Sequence, residues 1–145
     1  MTELLFGMAH LNFDWDDILP DHQTAISAFD VLRDSFGIGR VWYRLSSSGT
    51  GLHVMIADLV PRPADPYTLD LVPKDYEDDF VLQWRNHFLQ LPYSLECQGR
   101  LRADSERRSH GFRIGRIFKS KNKATSGEWK CYGLELIGVG AHRVR

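Results

Sequence analysis

The fold is decided by residues 40–59, RVWYRLSSSGTGLHVMIADL. Two runs rich in aromatic and branched apolar residues, 40–45 and 52–59, flank the short polar segment 46–51. Such runs favour strands, and serine together with glycine favours a tight turn between them. We therefore predict an antiparallel hairpin whose turn is SSSGTG.

The rest of the chain alternates between extended and helical patterns around this hairpin. Apolar residues run together in the predicted strands and recur at helical spacing in the predicted helices. In chain order we predict a strand over 4–13, a helix opened by Pro20 and Asp21 and ended by Gly37, the hairpin, a proline-rich loop over 61–73, a helix over 75–91, an extended segment over 93–103, and strands over 113–119 and 129–139 joined by a turn over 122–127.

This order, β-α-β-β-α-β-β, predicts an α+β fold with a single mixed or antiparallel sheet and two helices on one face. The plan is close to the split βαβ arrangement of RNA-recognition domains. The 145 residues, of which 43% are hydrophobic, are enough to form a packed core. We expect a single domain over residues 1–145.

Composition excludes several classes of protein. The two cysteines, Cys97 and Cys131, lie far apart in the sequence and cannot by themselves make a four-ligand zinc site. The first 17 residues lack the charged start and long apolar run of a signal peptide, and no stretch approaches ~18 consecutive apolar residues. We therefore expect a soluble cytoplasmic protein with no membrane partner.

Charge is balanced over the whole chain but unevenly distributed along it. There are 18 basic and 19 acidic residues, yet residues 100–130 hold ten of the basic ones, whereas residues 14–34 hold six aspartates and one arginine. An acidic cluster facing a basic one is what a site for metal ions and phosphates needs. Two ordinary solvated faces would give the same pattern.

Asp14 and Asp16 form a DxD pair at the end of the first predicted strand. Residues i and i+2 of a strand point to the same side, so the two carboxylates are expected to project together. Oxygen ligands of this kind suit Mg²⁺ or Mn²⁺. The alternative is an acidic helix start in which Asp17 or Asp21 is the N-cap.

The hairpin turn contains a second group of candidate residues. Small residues such as Ser48, Gly49 and Gly51 let the backbone approach a ligand, and successive amides can bind phosphate oxygens. His53, just inside the following strand, can donate a hydrogen bond to a phosphate whether it is protonated or neutral. The alternative is an ordinary turn followed by a core histidine.

The basic stretch contains the third group. Asp104 stands among cations, where it could be a third metal ligand, and basic residues after it could hold phosphates. We select Arg113, Arg116 and Lys121 for that role. The alternative is a basic surface loop in which Asp104 forms a salt bridge.

Together the three groups resemble the archaeo-eukaryotic primase superfamily, the primase-polymerases. Its motifs are a DxD pair after a hydrophobic strand, a glycine-containing hairpin that ends in G-x-H, and a later single Asp. Here they match Asp14 and Asp16, Gly51-Leu52-His53, and Asp104, which is followed by the basic pattern R-x-G-R-x-F-K-S-K. The resemblance covers roughly residues 4–130 and is to a compact catalytic core, such as a viral or plasmid version.

The resemblance implies a DNA primase or polymerase that acts in DNA replication. Template-dependent nucleotidyl transfer would join nucleoside triphosphates to a 3′-hydroxyl, with Mg²⁺ or Mn²⁺ bound by Asp14, Asp16 and Asp104. The residues expected to contact the nucleotide are Ser48, Gly49, Gly51, His53, Arg113, Arg116 and Lys121. The implied partners are a DNA or RNA template-primer and a helicase or second replication subunit.

Two other functions fit the same residues. A metal-dependent nuclease or phosphotransferase could use the same acids. A non-catalytic single-stranded nucleic-acid-binding protein, or a replication accessory protein, could stack bases on Trp42, Tyr43 and Phe118.

Overall fold

The computed structural model describes residues 7–46, 48–111, 114, 128–135, 140–141 and 144. This part of the chain forms three helices and a set of mainly antiparallel strands, which confirms the α+β class. In chain order the elements are β1 (Met8–His10), β2 (Asn12–Trp15), α1 (Gln23–Phe36), β3 (Val41–Leu45), β4 (Leu52–Arg62), β5 (Asp65–Pro73), β6 (Asp75–Glu77), α2 (Asp78–Leu89), α3 (Gln98–Ser109), β7 (Trp129–Cys131) and β8 (Gly140–Ala141).

The predicted hairpin, β3 and β4, lies inside the main sheet. The strand order of this sheet is β2-β4-β3-β7-β8, and β5 pairs with the second half of β4. All of these pairings are antiparallel. A separate two-stranded sheet joins β1 to β6.

The outer edge of β2 is covered by a short extended segment, 95–97. The Asp16 amide donates to the Leu95 carbonyl at 3.0 Å, and the Cys97 amide donates to the Asp14 carbonyl at 2.7 Å. An unpaired strand edge would leave backbone donors and acceptors exposed. The segment satisfies those groups and leads directly into α3.

Apolar residues of the sheet are buried on both faces. On one face Phe13, Trp15 and Val54 pack with the helix residues Phe29 and Phe88 in the larger core. Side chains alternate between the two faces of a strand. The intervening positions therefore point away from the helices.

On the other face a smaller core contains Trp42, Met55, Leu71, Trp129 and Cys131. All five are buried, with at most 1% of their surface exposed. The sheet therefore has an apolar core on the side that faces away from α1 and α2.

Several predicted boundaries were wrong. The strand predicted over 4–13 is two short strands, β1 and β2, and 4–6 lie outside the described residues. The loop predicted over 61–73 is mostly strand β5, in which prolines are tolerated because an edge strand leaves many amides unpaired. The strand predicted over 129–139 ends at Cys131, and the segments predicted over 113–119 and 122–127 lie outside the described residues apart from residue 114.

The largest error concerns residues 93–103, which we predicted to be extended. Only 95–97 pair with a strand, and the chain then forms the third helix, α3. Only Leu101 and Asp104 are buried in this helix, so its sequence carries almost no apolar periodicity. The number of helices is therefore three in the described part of the chain, where two were predicted.

No helix within the described residues combines the length and the apolar character that crossing a membrane requires.

Gly51 is required because the hairpin turn packs directly against the end of β2. A Cβ at this position would lie 2.4 Å from the backbone oxygen of Trp15 and 3.5 Å from the Cα of Asp16. No side-chain rearrangement can relieve a contact with backbone. The glycine therefore brings the turn next to the acidic pair.

We expect Gly51→Ala to lower the free energy of unfolding by about 1–3 kcal/mol, since the turn or β2 must shift. Urea denaturation measures the change. Gly99→Ala is the matched control, because a Cβ there meets nothing within 4 Å and position 99 is helical. That control should be neutral or stabilising by up to about 1 kcal/mol, and equal effects of the two substitutions would contradict the close packing of the turn.

Candidate metal and phosphate site

Three neighbouring strands contribute a row of polar side chains to the face away from α1 and α2. The β2–β4 register places Asp14 opposite His53, and the β3–β4 register places Arg44 opposite His53. Asp14 Oδ1 lies 4.0 Å from His53 Nε2, and Arg44 Nε donates to His53 Nδ1 at 3.2 Å. The row is the polar continuation of the apolar core on this face.

Asp16, Cys97 and Arg100 complete the site beside Asp14. A ligand atom of Asp14, of Asp16 and of Cys97 can all lie within 4.8 Å of one another. Arg100, in the first turn of α3, places Nε 2.6 Å from Asp14 Oδ2. The structure therefore brings the two predicted acids together and adds two residues, Cys97 and Arg100, that we had not assigned to the site.

The alternative interpretation of the acids, a capped helix start, is wrong. Helix α1 is capped by His22, whose Nδ1 accepts the Thr24 amide at 3.1 Å. No acidic residue lies in its first turn. Neither Asp17 nor Asp21 is therefore the N-cap.

The two carboxylates fit a hard divalent cation. Mg²⁺ is usually held by one or two carboxylates, with water and substrate phosphates as its other ligands. Asp14 and Asp16 supply that set. The thiol of Cys97 is a soft ligand, and burial raises its pKa, which keeps it protonated at neutral pH. Asp14 and Asp16 would therefore hold the ion.

The charge state of Asp14 depends on its neighbours. Burial raises the pKa of this carboxyl above its ordinary value, Arg100 lowers it, and the adjacent Asp16 raises it. A cation between the two carboxylates would remove their repulsion and favour the ionised form. The site is thus partly neutralised by an arginine and has a further negative charge available.

His53 is neutral at physiological pH. Burial lowers its pKa to about 4, and the positive charges of Arg44 and Arg100 act in the same direction. Because the Arg44 Nε–H donates to Nδ1, the imidazole proton must lie on Nε2, on the side of Asp14. His53 therefore presents an uncharged hydrogen-bond donor, and its contact with Asp14 is not an ion pair.

The amides of Gly49 and Gly51 do not form the predicted phosphate cradle. The Gly49 amide donates to the Ser46 carbonyl at 2.9 Å, and the Gly51 amide donates to Ser46 Oγ at 3.1 Å. The Ser48 hydroxyl is exposed and lies 2.8 Å from that of Thr50. The glycines therefore shape and position the turn, while Ser48 and His53 supply the side chains that can reach a phosphate.

Asp104 is not brought into the group with Asp14 and Asp16. It lies on α3 rather than on a strand, is 1% exposed, and accepts hydrogen bonds from Arg85 and Arg107. The physical reason is Arg85, a fully buried cation that requires carboxylate partners. The salt bridge that we considered as the alternative is what the structure contains.

Arg85 also determines where β2 lies. Its Nε donates to Glu96 Oε1 at 2.5 Å, and Glu96 Oε2 accepts the backbone amide of Asp14 at 3.2 Å. Burial raises the pKa of Glu96, and Arg85 opposes that shift. The buried Glu96 side chain thus connects Arg85 of α2 to β2, the strand that carries Asp14.

Sequence reasoning missed Arg85, although a signal for it exists. Val81, Arg85 and Phe88 are spaced i, i+4, i+7 and form the buried face of α2. Phe80, a large apolar residue of the same helix, is instead 37% exposed. An arginine on the buried face of a helix predicts a buried carboxylate partner.

Three predicted phosphate ligands, Arg113, Arg116 and Lys121, lie outside the described residues, as does Phe118. The other two residues proposed to stack bases are described. Trp42 is 1% exposed and Tyr43 is 7% exposed, so both are core residues.

No protein-family model matches the chain, and no curated protein and no solved structure does. Function is therefore inferred from the geometry of the site.

Arg85→Met should lower the free energy of unfolding by about 3–5 kcal/mol, because it leaves the carboxylates of Glu96 and Asp104 buried without their cation. The loss should be larger at pH 8 than at pH 5, since protonation of Glu96, whose pKa burial raises, relieves it. Urea denaturation at both pH values measures this. Arg33→Met, at a half-exposed position of α1, is the control and should cost about 1 kcal/mol or less. An equally small, pH-independent loss in both variants would contradict the role of Arg85.

The pKa of His53 makes the stability of the metal-free protein depend on pH. The unfolded chain binds a proton near pH 6.5 and the folded chain only near pH 4. The contribution of His53 to the free energy of unfolding is therefore complete above pH 6.5. It falls by up to about 3 kcal/mol as the pH falls toward 4. His53→Gln should flatten this part of the profile, and NMR titration should show the wild-type ring neutral at pH 6. A ring that titrates near 6.5 would contradict this assignment.

Proposed function

We propose that this chain is a template-dependent nucleotidyltransferase, a DNA primase or polymerase that joins nucleoside triphosphates to a 3′-hydroxyl. The observation that carries the proposal is the row formed by Asp14, His53 and Arg44 on three neighbouring strands, with Asp16 and Arg100 beside it. Two carboxylates for hard cations thus lie next to an uncharged donor and two guanidinium groups.

This combination suits a metal-bound triphosphate better than it suits either component alone. Acids alone would repel the phosphates, and cations alone would repel the metal. Mg²⁺ or Mn²⁺, when bound, would neutralise charge on the reacting phosphate and on the leaving group. Asp14 and Asp16 would hold the ions, and His53 would donate Nε2–H to a phosphate oxygen without adding charge.

The reaction follows from that arrangement. The 3′-hydroxyl gives up its proton to solvent and its oxygen forms a bond to the α-phosphorus. The bond from that phosphorus to the bridging oxygen breaks, and pyrophosphate leaves with the electron pair. Arg44 orients the imidazole through its hydrogen bond to Nδ1 and is itself held by the Trp129 ring, 4.5 Å from its guanidinium carbon. Positioning and charge neutralisation supply most of the rate enhancement.

The template-primer would lie along the basic residues of α3. Arg107 and Arg108 are exposed on this helix, and the helix begins at the site. Contacts to phosphates position a nucleic acid without reading its sequence. In this proposal the chain is a compact primase-polymerase core of RNA-recognition-like plan that works in the cytoplasm, with a helicase or second replication subunit as its partner.

The alternative of a non-catalytic binder receives less support. Such a protein needs exposed aromatic residues on its sheet to stack bases. Trp42 and Tyr43, the described candidates, are buried. Acids beside the cations would also weaken a surface that only binds phosphates, because carboxylates repel phosphates.

The double substitution Asp14→Asn, Asp16→Asn should reduce primer extension by about a thousandfold, because it removes the cation ligands while keeping the side-chain shape. The assay uses a labelled primer-template with Mn²⁺, with and without triphosphates. Asp34→Asn, exposed on α1, is the matched control and should retain full activity.

Two outcomes would refute the proposal. One is full extension by the double variant when its circular dichroism matches that of the wild type. The other is shortening of the primer in the absence of triphosphates, which would identify a nuclease.

A further inference from the structure

Arg100 occupies one of the two carboxylate oxygens of Asp14, a proposed metal ligand. Its Nε lies 2.6 Å from Asp14 Oδ2, so one of the two carboxylates proposed to hold the metal is already in an ion pair. The two partners differ in freedom, since the Arg100 side chain is 50% exposed and that of Asp14 is 12% exposed. The arginine can leave the carboxylate into solvent, whereas the carboxylate is held in the sheet.

The second guanidinium of the site is held quite differently. Arg44 lies within a central strand, donates to His53, and stacks on the Trp129 ring. These contacts hold its position. The site therefore contains one arginine held within the sheet and one, Arg100, whose side chain is half exposed and paired with Asp14.

We propose that Arg100 is an exchange residue, which neutralises Asp14 in the metal-free protein and moves to the non-reacting phosphates of the triphosphate when a divalent cation binds Asp14 and Asp16. This inference rests on the function proposed above. It assigns Arg100 two partners in turn, a carboxylate of the protein and a phosphate of the substrate.

Electrostatics give the reason for the exchange. A guanidinium and a dication bound to the same carboxylate lie close together, and at such short separations like charges repel strongly. The triphosphate that accompanies the metal offers new negative oxygens, with which arginine forms bidentate hydrogen bonds. The displaced side chain thus meets its second partner at the same site.

The exchange makes metal and triphosphate binding depend on Arg100 with opposite signs. Without nucleotide, the arginine competes with the metal and weakens its binding. With metal present, the same arginine strengthens the binding of the triphosphate. A residue that only maintained the fold would weaken both.

The test measures binding, not turnover. Calorimetry with MnCl₂ alone should show that Arg100→Gln binds Mn²⁺ about 5-fold more tightly than the wild type. With Mn²⁺ saturating, an α,β-imido analogue of dATP should bind this variant about 10-fold more weakly. Arg100→Lys, which keeps the charge, should lie between the two proteins in both titrations.

Arg102→Gln is the matched control, since Arg102 is exposed on the same helix two residues away. Its affinity for Mn²⁺ and its affinity for the dATP analogue should both stay within about twofold of the wild-type values. Opposite shifts in Arg100→Gln support the exchange. Shifts in the same direction, a shift in only one affinity, or no shift overturn it.

The experiments distinguish failure of the proposed function from failure of the Arg100 exchange. If the wild-type protein binds no Mn²⁺ and extends no primer, both proposals fall. If it does both and the Arg100→Gln affinities do not move in opposite directions, the exchange falls and the polymerase assignment stands.

Discussion

Arg85 is a fully buried cation, and much of the structure follows from satisfying it. Its partners, Glu96 and Asp104, come from the segment that covers β2 and from helix α3. A buried guanidinium is strongly unfavourable without such partners, so it draws both elements against α2. Because Glu96 also accepts the amide of Asp14, the strand that carries the acidic pair is positioned by a charge outside the site. The backbone of β2 is therefore held in place at the site, while the helix that begins beside it contributes Arg100, whose side chain is half exposed.

The parts of the structure that the sequence predicted are those set by local rules. The hairpin follows from two strand-forming runs around a glycine turn, and the alternation of side chains puts Asp14 on one side of β2 and Trp15 on the other. Once β2 lies beside β4, the His53 side chain has two possible positions: beside Asp14, or in the core that faces the helices. A turn with Gly51 at its end also indicates a close approach, although the sequence does not say which group approaches.

The parts that it did not predict depend on contacts between distant residues. Asp104 stands among arginines in the sequence, but its decisive partner is Arg85, which lies nineteen residues earlier. Residues 98–109 lack an apolar face, so nothing local distinguishes a helix held by one buried carboxylate from an exposed extended segment. The prolines of β5 made this segment resemble a loop in the sequence. A strand accepts them only at the edge of a sheet, and the local sequence does not reveal that position. In each case the tertiary partner, and not the local pattern, decides the outcome.

The register between β2 and β4 limits which mutations this protein can accumulate during evolution. Strand side chains alternate, so inserting or deleting one residue in β2 would turn Asp14 toward the helices and Trp15 toward the site. Both the core and the site would be lost in one step. Length variation is therefore confined to connections such as the segment between β2 and α1. Within the two strands only substitutions, or paired changes of length that restore the alternation, can be inherited without losing the fold.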